Sequence, residues 1–198
     1  NNEAENIAQR WAERCIPHHD TCRIMKDGTY AGQNAAQVVL NLEEATRSTV
    51  VVRCVRLWYA EVKDVDPSVI TKFESASGKD GNVIGHYTAL VSSNTTQVGC
   101  GYVEKDVYND KYQDIILICN YVPSGNVVGM PLYKVGTACS ECPKGSRCSE
   151  RYPGLCTNEK DEYKDIPKRN QAIRLHPSFS LLVVLFFAQR YCYENVLS

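Results

Sequence analysis

Ten cysteines in 198 residues, at positions 15, 22, 54, 100, 119, 139, 142, 148, 156 and 192, constrain this chain more than any other feature of it. A reducing cytosol keeps thiols free and disulfides rare, whereas an oxidising compartment turns such a density into bridges. An extracellular, disulfide-braced protein is therefore expected. A chain of this length can also bury roughly 70% of its unfolded surface, so the bridges would reinforce a core rather than replace one. With 22 Lys+Arg against 23 Asp+Glu, a formal net charge of −1, there is no basic excess to neutralise phosphates. DNA and RNA are excluded as expected partners.

The two ends carry different signals. Asn1-Asn2-Glu3-Ala4-Glu5-Asn6 is polar and acidic, unlike the basic and then apolar start of a secretory leader, so either a leader has been removed or the sequence is a fragment. Near the other end Leu181–Ala188 (LLVVLFFA) is apolar. It falls far short of the ~20 helical residues that cross a bilayer, and the polar residues after it do not suit a lipid-anchor signal. No transmembrane span is expected, and the run reads as a buried strand or an irregular tail.

Between the ends, hydrophobic spacing outlines the elements. Ala4, Ile7, Ala8, Trp11, Ala12 and Cys15 recur at helical spacing and predict an amphipathic helix over 3–15. Residues 16–34 read as loop, 35–47 as a second helical region, and 48–64 as a third that Pro67 closes. A short helix over 84–91 precedes two strand candidates, Gln97–Val103 and Asp114–Tyr121, most economically a hairpin. Residues 139–156 hold four cysteines, and from about 157 to 177 charge dominates, as in a linker or mobile tail.

Several motifs stand in order along this frame. They are Ile7-Ala8-Gln9-Arg10-Trp11-Ala12, His19-Asp20-Thr21-Cys22-Arg23, Gly32-Gln33-Asn34, Trp58-Tyr59-Ala60-Glu61-Val62-Lys63-Asp64, Gly85-His86-Tyr87-Thr88, and Ile118-Cys119-Asn120-Tyr121-Val122-Pro123-Ser124-Gly125-Asn126. Over about residues 4–156 the chain resembles the CAP superfamily of cysteine-rich secretory, antigen 5 and pathogenesis-related proteins, and Gly-Gln-Asn is the form typical of arthropod antigen 5 proteins. The resemblance implies an α/β fold, an α-β-α sandwich around a small antiparallel sheet without the family's first helix, followed by a short cysteine-rich extension. It divides the chain into a CAP domain at 1–136, incomplete at its N-terminus, a cysteine-rich hinge at 137–158, and a variable, flexible tail at 159–198. Without the first helix, the apolar faces of 3–15 and 48–62 are expected to lose a packing partner.

The resemblance also bears on the cysteines. It implies bridges Cys100–Cys119, Cys139–Cys148 and Cys142–Cys156; the spacing of 139–156 also makes disulfides a better reading than zinc, whose usual signal is two CxxC pairs about 15–20 residues apart. Cys15 and Cys22 are left either to pair with each other or to remain orphaned alongside Cys54 and Cys192.

The family's cleft presents two histidines and two acidic residues and can hold a divalent metal. Gln33 stands for one acid, Glu61 and His86 match two positions, and the remaining histidine has no counterpart in the motif comparison. His18 and His19, being adjacent, read as loop residues rather than ligands. Glu61 and His86 are then expected to line a structural cleft as a hydrogen-bonded pair, binding zinc weakly at best, and no cofactor is expected. The usual Gln and Trp after the family's cleft His are Ala89 and Ser92 here, and Asn94-Thr95-Thr96 is a glycosylation acceptor.

The function the resemblance implies is that of a secreted, non-enzymatic venom or salivary protein of the antigen 5 type, an allergen that binds host proteins, small lipids such as sterols or fatty acids, or amines. Two alternatives stand beside it. One is ion-channel modulation, although channel-blocking relatives carry a six-cysteine module where only Cys192 follows Cys156 here. The other is a hydrolase with Ser92 or Ser93 as nucleophile, His86 as base and Glu61 orienting it.

Overall fold

The structure, a computed structural model, describes residues 1–41, 43, 46–107 and 111–158. The expected tail at 159–198, with the apolar run and Cys192, lies outside the described residues. The chain divides into two compact units, Asn1–Lys134 and Val135–Ser198.

Helix α1 (Asn2–Ala12) begins where the Asn1 side chain accepts from the amides of Glu3 and Ala4, with Glu3 and Glu5 in the first turn against the positive end of the helix. Strand β1 (Gly32–Asn41) follows a loop. Helix α2 (Arg47–Tyr59) starts with a Thr46/Thr49 capping box and tightens into a 3₁₀ turn, Ala60–Asp64. After α3 (Ser68–Thr71) and α4 (Gly85–Val91), strands β2 (Gln97–Val107) and β3 (Tyr112–Val122) form the hairpin.

The sheet is antiparallel in the order β1-β3-β2. Central β3 is buried from Ile115 to Val122 because both of its faces are covered. Successive side chains point to opposite faces. Ile116 and Ile118 pack with Ala8 and Ala12 of α1, whereas Ile115, Leu117, Cys119 and Tyr121 pack with Val50, Cys54, Trp58 and Ala89 of α2 and α4. The result is the expected α-β-α sandwich.

Two expectations are corrected here. Residues 35–47 were read as helical, yet most of them lie in β1, paired with β3 from Gly32↔Tyr121 to Asn41↔Tyr112. Within that strand Val38 and Leu40 are buried while Val39 and Asn41 are exposed, an alternation too short to identify in an alanine-rich run. Pairing to the edge of β3 decided it. The apolar face of α1 was expected to be left uncovered, but Ala4, Ala8 and Ala12 are fully buried against the sheet. Small residues on both sides allow this: an added Cβ at Gly101 of β2 would lie 2.2 Å from the Gln9 amide nitrogen, and one at Gly99 would lie 2.2 Å from that of Glu5.

Cys100 and Cys119 are register partners on β2 and β3 and are joined. The Cys15–Cys22 pairing is not formed. Cys15 is an exposed free thiol whose sulfur turns back toward the Glu13 carbonyl, and Cys22 is disulfide-bonded elsewhere. Cys54 is a free thiol sealed in the core, where burial pushes its pKa up. Native alkylation followed by peptide mass spectrometry is therefore expected to label Cys15, and to label Cys54 only after unfolding. Native labelling of Cys54 would contradict the packing of α2.

In the second unit β4 (Arg147–Cys148) pairs with β5 (Cys156–Thr157). Cys139 is joined to Cys148 and Cys142 to Cys156. Of the described residues in this unit only Ser149 is buried, so bridges rather than a core hold it. The sulfurs of Cys139, Cys142 and Cys156 lie within 4.8 Å of one another, but all three are committed to disulfides and offer no thiolate to a metal.

Candidate functional site

A cleft of about 360 Å³ opens beside the N-terminal end of α4, lined by His19, Arg23, Tyr30, Gln33, His86 and Asn126 among others. Its walls follow from the chain's local order. The start of α4 delivers His86, with Glu61 of the 3₁₀ turn behind it, and β1 delivers Gln33 and Asn34 on neighbouring positions. The loop before β1 delivers His19.

Glu61 carries the most. One carboxylate oxygen accepts from His86 Nδ1 at 2.6 Å, and the other accepts from the backbone amides of His86 and Tyr87, each at 3.0 Å. Those amides are among the first of α4, which has no side-chain cap of its own. The carboxylate thus caps a helix and orients an imidazole at once, with Trp58 stacked on that ring at a centroid distance of 6.2 Å. The Asn34 amide donates to the His86 carbonyl, and the Asn126 amide donates to that of Gly85. Asn34 also donates to the Tyr121 hydroxyl at 3.2 Å.

Burial pushes the Tyr121 phenol far above its ordinary value near 10, and the bond from Asn34 offsets only part of this. The unfolded chain releases that proton near pH 10 while the folded chain holds it, so stability is intact below about pH 10 and falls as pH rises further. Tyr121→Phe is expected to flatten this alkaline decline in urea melts, at the cost of one hydrogen bond. An unchanged slope would show that the phenol is not buried.

A second chain of bonds runs through Gln33. Its Oε1 accepts from the Asp20 amide at 2.9 Å, its Nε2 donates to Asn120 Oδ1 at 2.9 Å, and Asn120 Nδ2 donates to the Ala4 carbonyl. With the Gln33 oxygen facing His19 at 3.3 Å, His19 Nδ1 must be the donor. Burial outweighs this bond and holds the His19 pKa below its ordinary value. Arg23 fastens the same loop by donating to the Asp20 and Ala31 carbonyls and lying over the Tyr30 ring.

The structure therefore brings Gln33, Glu61 and His86 together, and it adds a residue that the sequence was read as lacking. His18 and His19 do diverge, as adjacent side chains must, but one of them turns inward: His19 reaches Gln33 in the cleft, while the His18 carbonyl takes the Trp11 indole N–H. Two histidines, a glutamine and a glutamate thus gather at this cleft. The signal was present in His19-Asp20-x-Cys22, ten residues before β1, where Asp20 Oδ1 accepts from the Cys22 amide and folds the loop back.

This donor set bears on the divalent metal that the fold implies. The three bonds accepted by Glu61 make it an outer partner of the imidazole rather than a ligand. In both histidines Nδ1 is committed and Nε2 is left as the coordinating atom. Those two nitrogens, rather than the Glu61–His86 pair expected from the sequence, are the atoms that would hold a borderline cation such as zinc.

The family profile described as CAP, cysteine-rich secretory protein family, matches residues 1–121. The chain belongs to the CAP family. Curated CAP relatives include Scoloptoxin SSD976 of Scolopendra dehaani, 37% identical over 156 residues that cover 79% of this chain and 67% of that one. Venom allergen 3 of Solenopsis invicta is 37% identical over 139 residues, 67% of this chain and 54% of that protein. The chain thus matches about two-thirds of the centipede protein and about half of the ant protein. Among solved structures, that of Na-ASP-1 aligns with a TM-score of 0.59 and 26% identity, covering 79% of this chain and 37% of that one.

Other residues singled out in the CAP sequence lie away from the cleft floor. Ser92 is buried beside Gly125 just after α4, six residues from His86, which at 1.5 Å per residue is roughly 9 Å. The Asn94 side chain is exposed and donates to the Ser124 carbonyl, while Thr95 donates to that of Pro123. Among the described residues no helix is long and apolar enough to cross a membrane.

Proposed function

We propose that this CAP protein is a secreted, non-enzymatic binding protein of the venom-allergen type that engages a host protein or a small lipid. The observation that carries this reading is the commitment of Glu61, whose two oxygens hold the His86 ring and the amides that open α4. The pair works as a brace for the cleft wall. A hydrolase would need a nucleophile within hydrogen-bond reach of His86. Ser92 stands too far along the chain, and the Ser124 hydroxyl at the cleft donates to the Gly125 carbonyl. A cleft of about 360 Å³ with Tyr30 and Val83 on its lining is of a size that takes a small ligand.

Extracellular residence belongs to the same reading. It is supported by the bridged cysteines, by the venom proteins among the relatives and by an exposed acceptor at Asn94 that would carry a glycan. A divalent metal would sit on His19 and His86 and supply a fixed positive charge at the cleft floor.

The test sets hydrolysis against binding. Purified protein incubated with casein and with ester substrates is expected to show no turnover, while fatty acids or cholesterol raise its melting temperature. Turnover that vanishes in His86→Ala would replace this reading with the hydrolase.

A further inference from the structure

Helix α2 has an outward face that takes no part in the cleft. Its buried stripe is Val50, Cys54 and Trp58, at i, i+4 and i+8. The opposite side carries Val52, Val55 and Arg56, flanked by Arg53 and Leu57, with Tyr59 at its end set edge-on against the Tyr87 ring of α4. Val52 is 45% exposed, Leu57 53% and Tyr59 55%, and both arginines are exposed as well. Thr49, Val52, Arg53, Arg56 and Leu57 together line a shallow groove of about 390 Å³.

The charge on this face is one-sided. It carries Arg53 and Arg56, and residues 47–59 include neither Asp nor Glu. Ion pairs among the described residues join Lys72 to Glu74, His86 to Glu61 and Arg147 to Glu150, leaving Arg53 and Arg56 out. A helix that merely faces water shows charge outward and keeps its large apolar groups in. Here uncompensated guanidinium groups alternate with exposed Val, Leu and Tyr, the composition that rewards a boundary where anions and hydrocarbon meet.

We propose that the outward face of α2 docks on the surface of an anionic phospholipid bilayer. Arg53 and Arg56 meet lipid phosphates and carboxylates through charge-assisted hydrogen bonds. Val52 and Leu57 enter the headgroup boundary, and Tyr59 lies at the level where its ring and hydroxyl are both accommodated. Charge decides against a second copy of the chain, because a two-fold contact through this face would set arginine against arginine. It also decides against a neutral lipid, which offers these cations nothing. The inference stands apart from the cleft, so either can fail alone.

The test is flotation of the full chain with vesicles of phosphatidylcholine and phosphatidylserine in equal parts, against vesicles of phosphatidylcholine alone. Binding is expected only to the mixed vesicles, weakening as salt is raised. Arg53→Gln with Arg56→Gln should weaken it by about 30-fold, from the contribution of two basic side chains near an anionic surface. Val52→Ser with Leu57→Ser should weaken it too, while His86→Ala leaves it unchanged. Because these α2 side chains are exposed, circular dichroism should show both double variants folded. Equal binding to both vesicle types, no binding to either, or undiminished binding of the double arginine variant would overturn the proposal. So would a dimer in sedimentation that the arginine variant strengthens.

Discussion

Gly101→Ala is expected to lower stability to urea by about 3 kcal/mol, at the upper end of what an overpacked core costs. The added methyl carbon would lie 2.2 Å from the Gln9 amide nitrogen and 2.3 Å from its Cα, which are backbone atoms with no rotamer to escape into. Helix α1 can accommodate it only by lifting from the sheet, which opens the contact of Ala8 and Ala12 with Ile116 and Ile118. Lifting also strains the Gln9 side chain, whose Oε1 accepts from the Tyr102 amide while its Nε2 donates to the Tyr102 carbonyl. Gly136→Ala is the control. Its Cβ would find only the Ser140 hydroxyl, at 3.6 Å, so its midpoint should stay within about 0.5 kcal/mol of the parent. A Gly101→Ala protein as stable as the parent would mean that α1 does not lie on β2.

Glu61→Ala carries the second large effect, of about 3 kcal/mol, and it acts through a helix rather than through a hydrophobic contact. The substitution strips the acceptor from the His86 and Tyr87 amides and from the His86 ring, in a region where the Glu61 side chain is only 16% exposed. Each donor left partly buried without a partner costs on the order of 1–3 kcal/mol, and the negative charge that complements the start of α4 is lost as well. Glu61→Gln keeps one carbonyl oxygen and should recover part of the loss. Amide hydrogen exchange distinguishes this account from a general loosening: protection should fall at His86 and Tyr87 well before it falls in β3. If the His86 and Tyr87 amides keep their protection in Glu61→Ala, the carboxylate is not the cap of α4.

Both effects show where sequence reading stops. The hairpin was legible because Cys100 and Cys119 stand in two β-rich stretches joined by a polar segment, and the α1 helix because its apolar residues recur at helical spacing over about three turns. Strand β1 was not legible. Ala35-Ala36-Gln37-Val38-Val39-Leu40 suits a helix locally, and only the free edge of β3 makes it a strand. In the cleft, Gln33, Glu61 and His86 could be picked out from their motifs. His19 carried a signal in His19-Asp20-x-Cys22, but adjacent histidines in a loop do not say which one turns inward until Gln33, fixed by Asn120 and the Asp20 amide, offers it an acceptor.

The cysteine count, the order of the motifs and the periodicity of the longer elements by themselves determined the compartment expected, the family and most of the elements, since each is a property of residues close together along the chain. The tertiary structure alone decided which face of α1 is covered, that Cys15 stays a free thiol, that the Glu61 carboxylate caps a helix 25 residues away, and that a histidine of the loop completes the cleft. These depend on contacts between distant segments, whose geometry is settled by how closely small residues let the layers approach and by which buried donors must find an acceptor.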